Sequence, residues 1–371
     1  MKILVIRAGA LGDVILTLPV LRVLREHFPR AHIEVMGYPA TLGWIQGQGC
    51  VDAIRSIEQG SMASFFVRDG SLPEDLRTYF GRFDWILLYS QDQEGVFSEN
   101  LRRAGARQVI SWPAFSAAGE RVHENDHLLK ALRGLGIEVD NRTPCIHLTD
   151  ADRATARIFW EKWRLHDQPV FVIHPGSGGR SKCWMPERFA RIGDELVTAY
   201  GGTVLVLKGP ADEEQVHEMT TYMNTPFIVV EGRPVLEVAG MLERATLFLG
   251  NDSGITHLAV GVGAPTITLF GPTDPAVWAP RGDHVVVLHR PVPCAPCTRE
   301  ERLRCPHRRC VEAISVEDVQ QAIVRLLDRK RSGRSLLFTA ETATTKTAEK
   351  TIKKSPRASL REALRTLRAL R

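Results

Sequence analysis

The stretch K-I-L-V-I-R-A-G-A-L-G-D, residues 2–13, decides the fold. Residues 2–6 are mainly apolar and β-branched, as in a strand buried on both faces, and residues 14–27 follow a helical pattern. Gly9 and Gly12 between them permit a tight turn. A buried strand, a glycine turn and a helix begin a β-α-β unit, so we predict an α/β fold with parallel sheets.

The alternation of apolar strands and helices continues along the chain and restarts after residues 151–168, which we predict to be a helix followed by a linker. The first series has strand candidates at 2–6, 32–36, 53–57, 84–89 and 108–111. The second has them at 169–176, 202–209, 227–232, 246–252 and 265–273, with helix candidates at 186–200, 212–222, 235–243 and 254–262. We therefore predict two Rossmann-like domains, residues 1–160 and 161–330.

Composition excludes several protein classes. A chain of 371 residues that is 44% hydrophobic and 25% charged suits a soluble protein of two domains and excludes a disordered one. No uncharged apolar run reaches the ~18 residues that cross a bilayer. The N-terminal apolar stretch is too short for a signal peptide, so we expect a cytoplasmic protein.

The net charge of +5 is unevenly distributed. Residues 329–371 carry +10 and the rest −5, so the basic character does not indicate nucleic-acid binding by the body. We predict that residues 331–371 form a basic, disordered tail. Its end, residues 357–371, spaces leucines helically among arginines. It is either a solvated charge run or an amphipathic helix that contacts the inner membrane peripherally, on its cytoplasmic face.

Ligands of parallel α/β sheets bind beyond the carboxyl ends of the strands, and three motifs lie there. In R-A-G-A-L-G-D (7–13), Asp13 is either a helix N-cap or a carboxylate facing a cleft. In H-P-G-S-G-G-R-S-K-C-W (174–184), Ser177, Gly178 and Lys182 form either a phosphate site or an ordinary glycine turn with a solvated lysine. Neither motif has the spacing of the dinucleotide fingerprint or the P-loop.

The third motif is N-D-S-G-I-T-H-L-A (251–259), followed by L-F-G-P-T-D-P (269–275). Asp252, Ser253 and Gly254 stand where a helix begins, and His257 lies one turn inside it. A helix N-terminus with a histidine nearby suits a pyrophosphate. The alternatives are a helix N-cap for Asp252 and a core histidine for His257.

Four cysteines fall within a short segment, residues 294–310. Cys294 and Cys297 form a C-x2-C pair, followed by Cys305 and Cys310, with His307 as a substitute ligand. Three interpretations stay open: a structural zinc or iron ion, free thiols, or disulfides.

These motifs, in this order over residues 1–330, resemble the ADP-heptose:lipopolysaccharide heptosyltransferases of glycosyltransferase family 9. The resemblance implies a GT-B fold of two facing Rossmann-like domains. It also implies an inverting transfer of heptose from ADP-heptose to a lipid-linked acceptor, the Kdo or heptose of the lipopolysaccharide inner core. Related heptosyltransferases carry similar cysteine clusters, one branch with iron. The tail, residues 331–371, lies outside the resemblance.

The resemblance also implies roles for single residues, and no cofactor for catalysis. Asp13 matches a general base, and Lys182 matches a lysine that balances charge on the leaving diphosphate. Ser177 and Gly178 match a phosphate-binding loop, and Glu213 matches an acidic residue that binds the adenosine ribose. The segment Asp252–Gly254 and His257 match the residues that bind the pyrophosphate and donor sugar.

Other functions compete with this interpretation. A GT-B sugar-nucleotide epimerase would act on the donor alone, and a binding scaffold would lack catalysis. The acceptor of a transferase could also be a protein or another glycan.

Overall fold

The computed structural model describes residues 1–117, 119–139 and 142–332. In this part of the chain the strands form two parallel sheets. The first contains β1 (Lys2–Arg7), β2 (His32–Gly37), β3 (Ala53–Ser56), β4 (Trp85–Tyr89) and β5 (Gln108–Trp112), in the order β3-β2-β1-β4-β5. The second contains β6 (Val170–His174), β7 (Thr203–Lys208), β8 (Phe227–Glu231), β9 (Leu247–Asn251), β10 (Thr266–Phe270) and β11 (Val285–His289), in the order β11-β10-β9-β6-β7-β8.

Helices cover both faces of each sheet. Those of the first half are α1 (Leu11–His27), α2 (Pro39–Leu42), α3 (Glu74–Gly81), α4 (Val96–Arg103) and α5 (Glu124–Lys130), with 3₁₀ turns at Ile45–Gln48, Gly60–Phe66 and Ala131–Leu135. The second half has α6 (Asp150–Lys162), α7 (Pro186–Tyr200), α8 (Glu213–Tyr222), α9 (Val235–Glu243), α10 (Gly254–Gly261), α11 (Pro275–Trp278), α12 (Arg299–Arg304), α13 (Arg309–Glu312) and α14 (Val316–Ser332), with a 3₁₀ turn at Arg180–Lys182.

The strand order places one crevice in each sheet. Strands β1 and β6 lie inside their sheets and are apolar and buried because helices cover both faces. The chain winds outward from them in both directions, so the connections after β1 and β4 diverge, as do those after β6 and β9. Ligands of open α/β sheets bind at such switch points, beyond the carboxyl ends of the strands.

The two halves meet through the first turns of α1 and α10. A Cβ on Gly254 would lie 2.8 Å from the backbone nitrogen of Gly12, so only glycine allows this approach. An apolar cluster continues from α1 to α10, through residues such as Leu16, Leu258 and Ala259. The packing thus turns the carboxyl edges of both sheets toward one space.

All ten predicted strands are present, and β11 was missed. The segment 151–168 is a helix followed by a linker, as predicted, and the helix ends at Lys162. It packs on α9 of the second half, where a Cβ on Gly240 would meet Ala156. A domain boundary at residue 160 stays a prediction.

The predicted amphipathic helix over 357–371 lies outside the described residues, as does nearly all of the tail. Among the described residues, no helix is both long and apolar enough to cross a membrane.

Candidate active site

Asp13 lies at the carboxyl edge of the first sheet. It is the third residue of α1, and Ala10 holds the N-cap position, so the N-cap alternative is wrong. Its Oδ2 accepts a hydrogen bond from the Ala10 N–H at 2.8 Å, and its Oδ1 lies 3.3 Å from Arg7 Nη2. The side chain keeps 18% of its surface exposed. A carboxylate so placed can accept a proton from a molecule in the cleft.

Arg7, which was not among the predicted site residues, contacts this carboxylate from the buried side. It is 2% exposed, donates a hydrogen bond to the Ala114 carbonyl at 2.8 Å, and stacks its guanidinium on the Phe115 ring. Burial lowers the pKa of Arg7, and the charge of Asp13 opposes that shift. A charged residue that ends an apolar strand was the available sequence signal.

Asp252 is the centre of the polar contacts at the second sheet. Its Oδ2 accepts hydrogen bonds from Lys182 Nζ at 2.6 Å and from Thr273 Oγ1 at 2.7 Å, while Ser177 Oγ donates to its carbonyl. Burial by itself would raise the pKa of Asp252, but the Lys182 ammonium and these hydrogen bonds lower it. The buried, ionised carboxylate therefore holds the lysine at the edge of the crevice.

Helix α10 begins at this cluster. Ser253 is its N-cap and accepts a hydrogen bond from the Thr256 N–H at 3.3 Å, so the N-cap alternative for Asp252 is wrong. The first backbone N–H groups of a helix have no partner within the helix and carry partial positive charge. Gly254, the first helical residue, adds no side chain that would cover them.

His257 lies on the buried side of α10 and is 6% exposed. Burial lowers the pKa of His257 to about 4, and the nearby charge of Asp252 opposes that shift only in part. The imidazole is therefore neutral near pH 7, and it can offer a hydrogen bond without adding a charge.

Further contacts between the halves surround the meeting point of α1 and α10. Arg281 pairs with Asp126 at 2.7 Å, and His123 Nε2 lies 2.9 Å from the Ala279 carbonyl. These contacts join α5 of the first half to the segment after α11 of the second. They hold the two halves together beside the contact between Gly12 and Gly254.

Beside this crevice lies a cleft of about 630 Å³, lined by Leu11, Ala40 and Thr41 of the first half and by residues of β6–β8, α9 and α10 of the second. At its rim, Lys208 Nζ lies 2.6 Å from Glu213 and 2.8 Å from Glu231. Ligand clefts of this volume hold molecules of nucleotide size. Glu213 is 77% exposed there and so can reach a ligand.

The structure brings most of the predicted residues together. Ser177, Lys182 and Asp252 are in direct contact, and Ser253 and Gly254 follow Asp252 at the helix start. Gly178 is exposed in the Ser177 loop, and a Cβ there would meet nothing within 4 Å. Glu213 lies apart from this group, on the rim of the cleft.

Sequence reasoning missed His174, Asp212 and Thr273 as well as Arg7. His174 and Thr273 stood inside the quoted motifs, each directly after or at the end of a strand, but received no role. Asp212 immediately precedes α8 and lies 38 residues from its partner His174, a distance that no local pattern bridges.

The four clustered cysteines do not form a metal site in the structure. Within the described ranges, no group of three or more histidine, cysteine, aspartate or glutamate side chains could hold a metal ion. Cys297 Sγ lies 2.9 Å from the Cys294 carbonyl, and Cys305 Sγ contacts the His307 carbonyl. Cys310 is buried near Gly271. All four are free cysteines, and the predicted structural zinc or iron finds no support.

Two α/β halves that meet beside one cleft, with a part-exposed carboxylate on the first half and a lysine near a helix N-terminus on the second, are typical of transferases of GT-B type.

Comparisons with known proteins then identify the family. The sequence model of glycosyltransferase family 9 (heptosyltransferase) matches residues 108–306, so the chain belongs to this family and is a glycosyltransferase. It is 26% identical to lipopolysaccharide heptosyltransferase 3 of Escherichia coli, over 88% of this chain and 99% of that protein.

Solved structures show the same fold. A family 9 glycosyl transferase from Veillonella parvula is 24% identical and has a TM-score of 0.74, with 88% of this chain and 97% of that one covered. The ADP-heptose lps heptosyltransferase II of E. coli is 16% identical and has a TM-score of 0.71, with 89% and 100% covered. The family resemblance and the predicted GT-B fold are confirmed.

Proposed function

We propose that the protein transfers heptose from ADP-heptose to a lipid-linked lipopolysaccharide core acceptor, with inversion at the anomeric carbon. The contact between the first turns of α1 and α10 carries this proposal, because Asp13 directly follows Gly12, and Asp252, which holds Lys182, lies two residues before Gly254. The names of the relatives support the donor and the acceptor class.

In the proposed reaction, the acceptor hydroxyl oxygen attacks the anomeric carbon of the heptose. Asp13 takes the hydroxyl proton as the new C–O bond forms. The bond between the anomeric carbon and the β-phosphate oxygen breaks, and its electron pair leaves with ADP. Lys182 and the α10 amides stabilise the negative charge that develops there.

We place the remaining residues on the donor. The loop with Ser177 and Gly178 and the segment Ser253–Gly254 bind the diphosphate, and neutral His257 lies beside it. Glu213, on the rim of the cleft, binds the adenosine ribose. The cleft separates this last contact from the reacting atoms, so its loss should weaken donor binding more than it slows the chemical step.

The test is transfer by the purified full-length protein, followed by mass spectrometry. ADP-heptose is supplied alone, with Kdo-lipid A, or with a core that already carries heptose. We expect a heptose-sized mass gain on one acceptor together with ADP release. Conversion of the donor without acceptor would instead favour the epimerase, and transfer to neither glycan would contradict the proposed acceptor class.

A further inference from the structure

A row of three side chains in contact, the buried Asp212 and His174 and the half-buried Ser253, lies against the proposed donor side of the cleft. His174 ends strand β6, lines the cleft and is 3% exposed. Its Nε2 lies 2.9 Å from Asp212 Oδ2, and its Nδ1 lies 3.3 Å from Ser253 Oγ. None of the steps proposed above uses His174 or Asp212.

The fold makes room for this carboxylate. A Cβ on Gly176 would lie 1.8 Å from Asp212 Oδ1, and a Cβ on Gly209 would lie 2.8 Å from Oδ2, so both neighbouring loops need glycine here. The Gly209 N–H also donates to Oδ2 at 2.8 Å. Burial alone would raise the pKa of Asp212, but the hydrogen bond from His174 lowers it. The ionised carboxylate accepts the Nε2 hydrogen, and Nδ1 of a neutral His174 is left with a lone pair.

The hydroxyl proton of Ser253 is consequently donated to another group of the protein. Thr256 Oγ1 donates its own proton to the Asn251 carbonyl, so it can only accept from Ser253. The two acceptors near Ser253 Oγ are therefore Thr256 Oγ1 and His174 Nδ1, at 3.2 and 3.3 Å. While His174 is neutral, Ser253 has no proton to offer to a ligand without leaving Nδ1 unpaired.

Resting on the proposed function, we propose that His174 is a positioning residue that takes up one proton when the donor diphosphate binds. The proton comes from solvent and goes to Nδ1, which then donates to Ser253 Oγ. The Ser253 hydroxyl turns and donates its own proton to a diphosphate oxygen. Asp212 stabilises the imidazolium, whose charge adds to that of Lys182. When ADP leaves, the proton returns to solvent.

The other ionisable groups near His174 are already paired or neutral. Lys208 pairs with Glu213 and Glu231 across the cleft, and Lys182 pairs with Asp252. Burial raises the pKa of the nearby Cys183 thiol to about 12, and Asp212 adds to that shift. His174 is thus a group beside Ser253 whose free ring nitrogen faces the Ser253 hydroxyl.

The experiment is calorimetric titration of the full-length protein with ADP at about pH 8. Buffers of different ionisation enthalpy report the protons taken up per ADP bound. We expect uptake approaching one proton for the unchanged protein and none for His174→Gln, with roughly 10-fold weaker ADP binding. Asp212→Asn changes the carboxylate that contacts His174, and it should also reduce the number of protons taken up.

His257→Gln is the matched control, because His257 also lies near the diphosphate site but has a pKa of about 4. It should leave the proton uptake unchanged. Uptake that persists in His174→Gln, or that disappears in His257→Gln instead, overturns the proposal. ADP binding without uptake overturns this proposal alone, whereas absence of ADP binding overturns the proposed function as well.

Discussion

Helices α1 and α10 begin alike and differ in the carboxylate that each one holds. Both start beyond a central strand, and their first turns touch at Gly12 and Gly254. Asp13 in α1 stays 18% exposed, with a backbone N–H and a 3.3 Å contact to Arg7 as partners. Asp252 before α10 is 8% exposed and holds Lys182 and Thr273 at 2.6 and 2.7 Å.

This difference supports the roles proposed for the two carboxylates. A general base has to remain accessible to its substrate, and Asp13 keeps part of its side chain exposed. A buried carboxylate with close charged and hydroxyl donors stays ionised and holds its partners in place, as Asp252 does. The same residue type near two helix starts thus has two different environments, set by the neighbours, and we propose a different role for each.

The largest expected effect is that of Asp13→Asn. The amide keeps the shape of the side chain but cannot take the acceptor proton, so kcat should fall about 10²- to 10⁴-fold while the KM for the donor changes little. Steady-state rates of ADP release measure both constants. Activity within a few-fold of the unchanged protein would show that Asp13 is not the base.

Next is Lys182→Met, which should lower kcat roughly 10²- to 10³-fold because the leaving diphosphate loses its cation. It should also destabilise the fold by about 3 kcal/mol, since Asp252 is left buried without its ammonium. The double variant Lys182→Met with Asp252→Asn separates these effects. We expect urea unfolding to show recovered stability in the double variant, and no recovery of kcat; recovery of both would contradict the catalytic role of Lys182.

A Cβ at the meeting point should cost stability as well. In Gly254→Ala the methyl group would lie 2.8 Å from the Gly12 nitrogen, so the two helix starts must move apart, at about 1–3 kcal/mol. Urea unfolding midpoints measure the loss. Gly47→Ala is the control, because a Cβ there meets nothing within 4 Å. Equal midpoints for both variants would mean that the contact is not tight in solution.

The buried His257 predicts a pH dependence of stability. Its pKa is about 4 in the folded protein and 6.5 as the ordinary value, so the unfolded chain binds the proton more tightly. The contribution of His257 to the free energy of unfolding is fully present above pH 6.5. It is lost as the pH falls toward 4, by up to about 3 kcal/mol. Urea unfolding at several pH values should show a shallower decline for His257→Gln. An identical decline would indicate that His257 is not the group responsible.

The smallest effect concerns one hydroxyl on Asp252. Thr273→Val keeps the shape but removes the hydrogen bond to Oδ2, which should cost about 1 kcal/mol. Thr268→Val is the matched control, because the buried Thr268 Oγ1 has no hydrogen-bond partner among the described residues. The midpoint of thermal unfolding should be lower for Thr273→Val than for Thr268→Val. The reverse order would contradict the hydrogen-bond network around Asp252.

Local patterns predicted the elements well where packing agrees with them. The run K-I-L-V-I predicts β1 because a strand covered on both faces needs apolar side chains throughout. Strand β11, at Val285–His289, was missed although its sequence V-V-V-L-H is rich in β-branched residues; it lies between the motif at 269–275 and the cysteine segment at 294–310. The N-cap positions suggested for Asp13 and Asp252 are instead held by Ala10 and Ser253, because helix ends depend on backbone geometry as well as residue type.

The sequence alone determined the two α/β series, the glycine turns and the residues that stand after each strand, because these depend on contacts between near neighbours. The tertiary structure decided which of those residues meet. Lys182 reaches Asp252, 70 residues away, only because β6 and β9 pair side by side. Asp13 comes near them only because Gly254 has no side chain and lets α1 and α10 touch, and such long-range packing follows from how whole elements fit together.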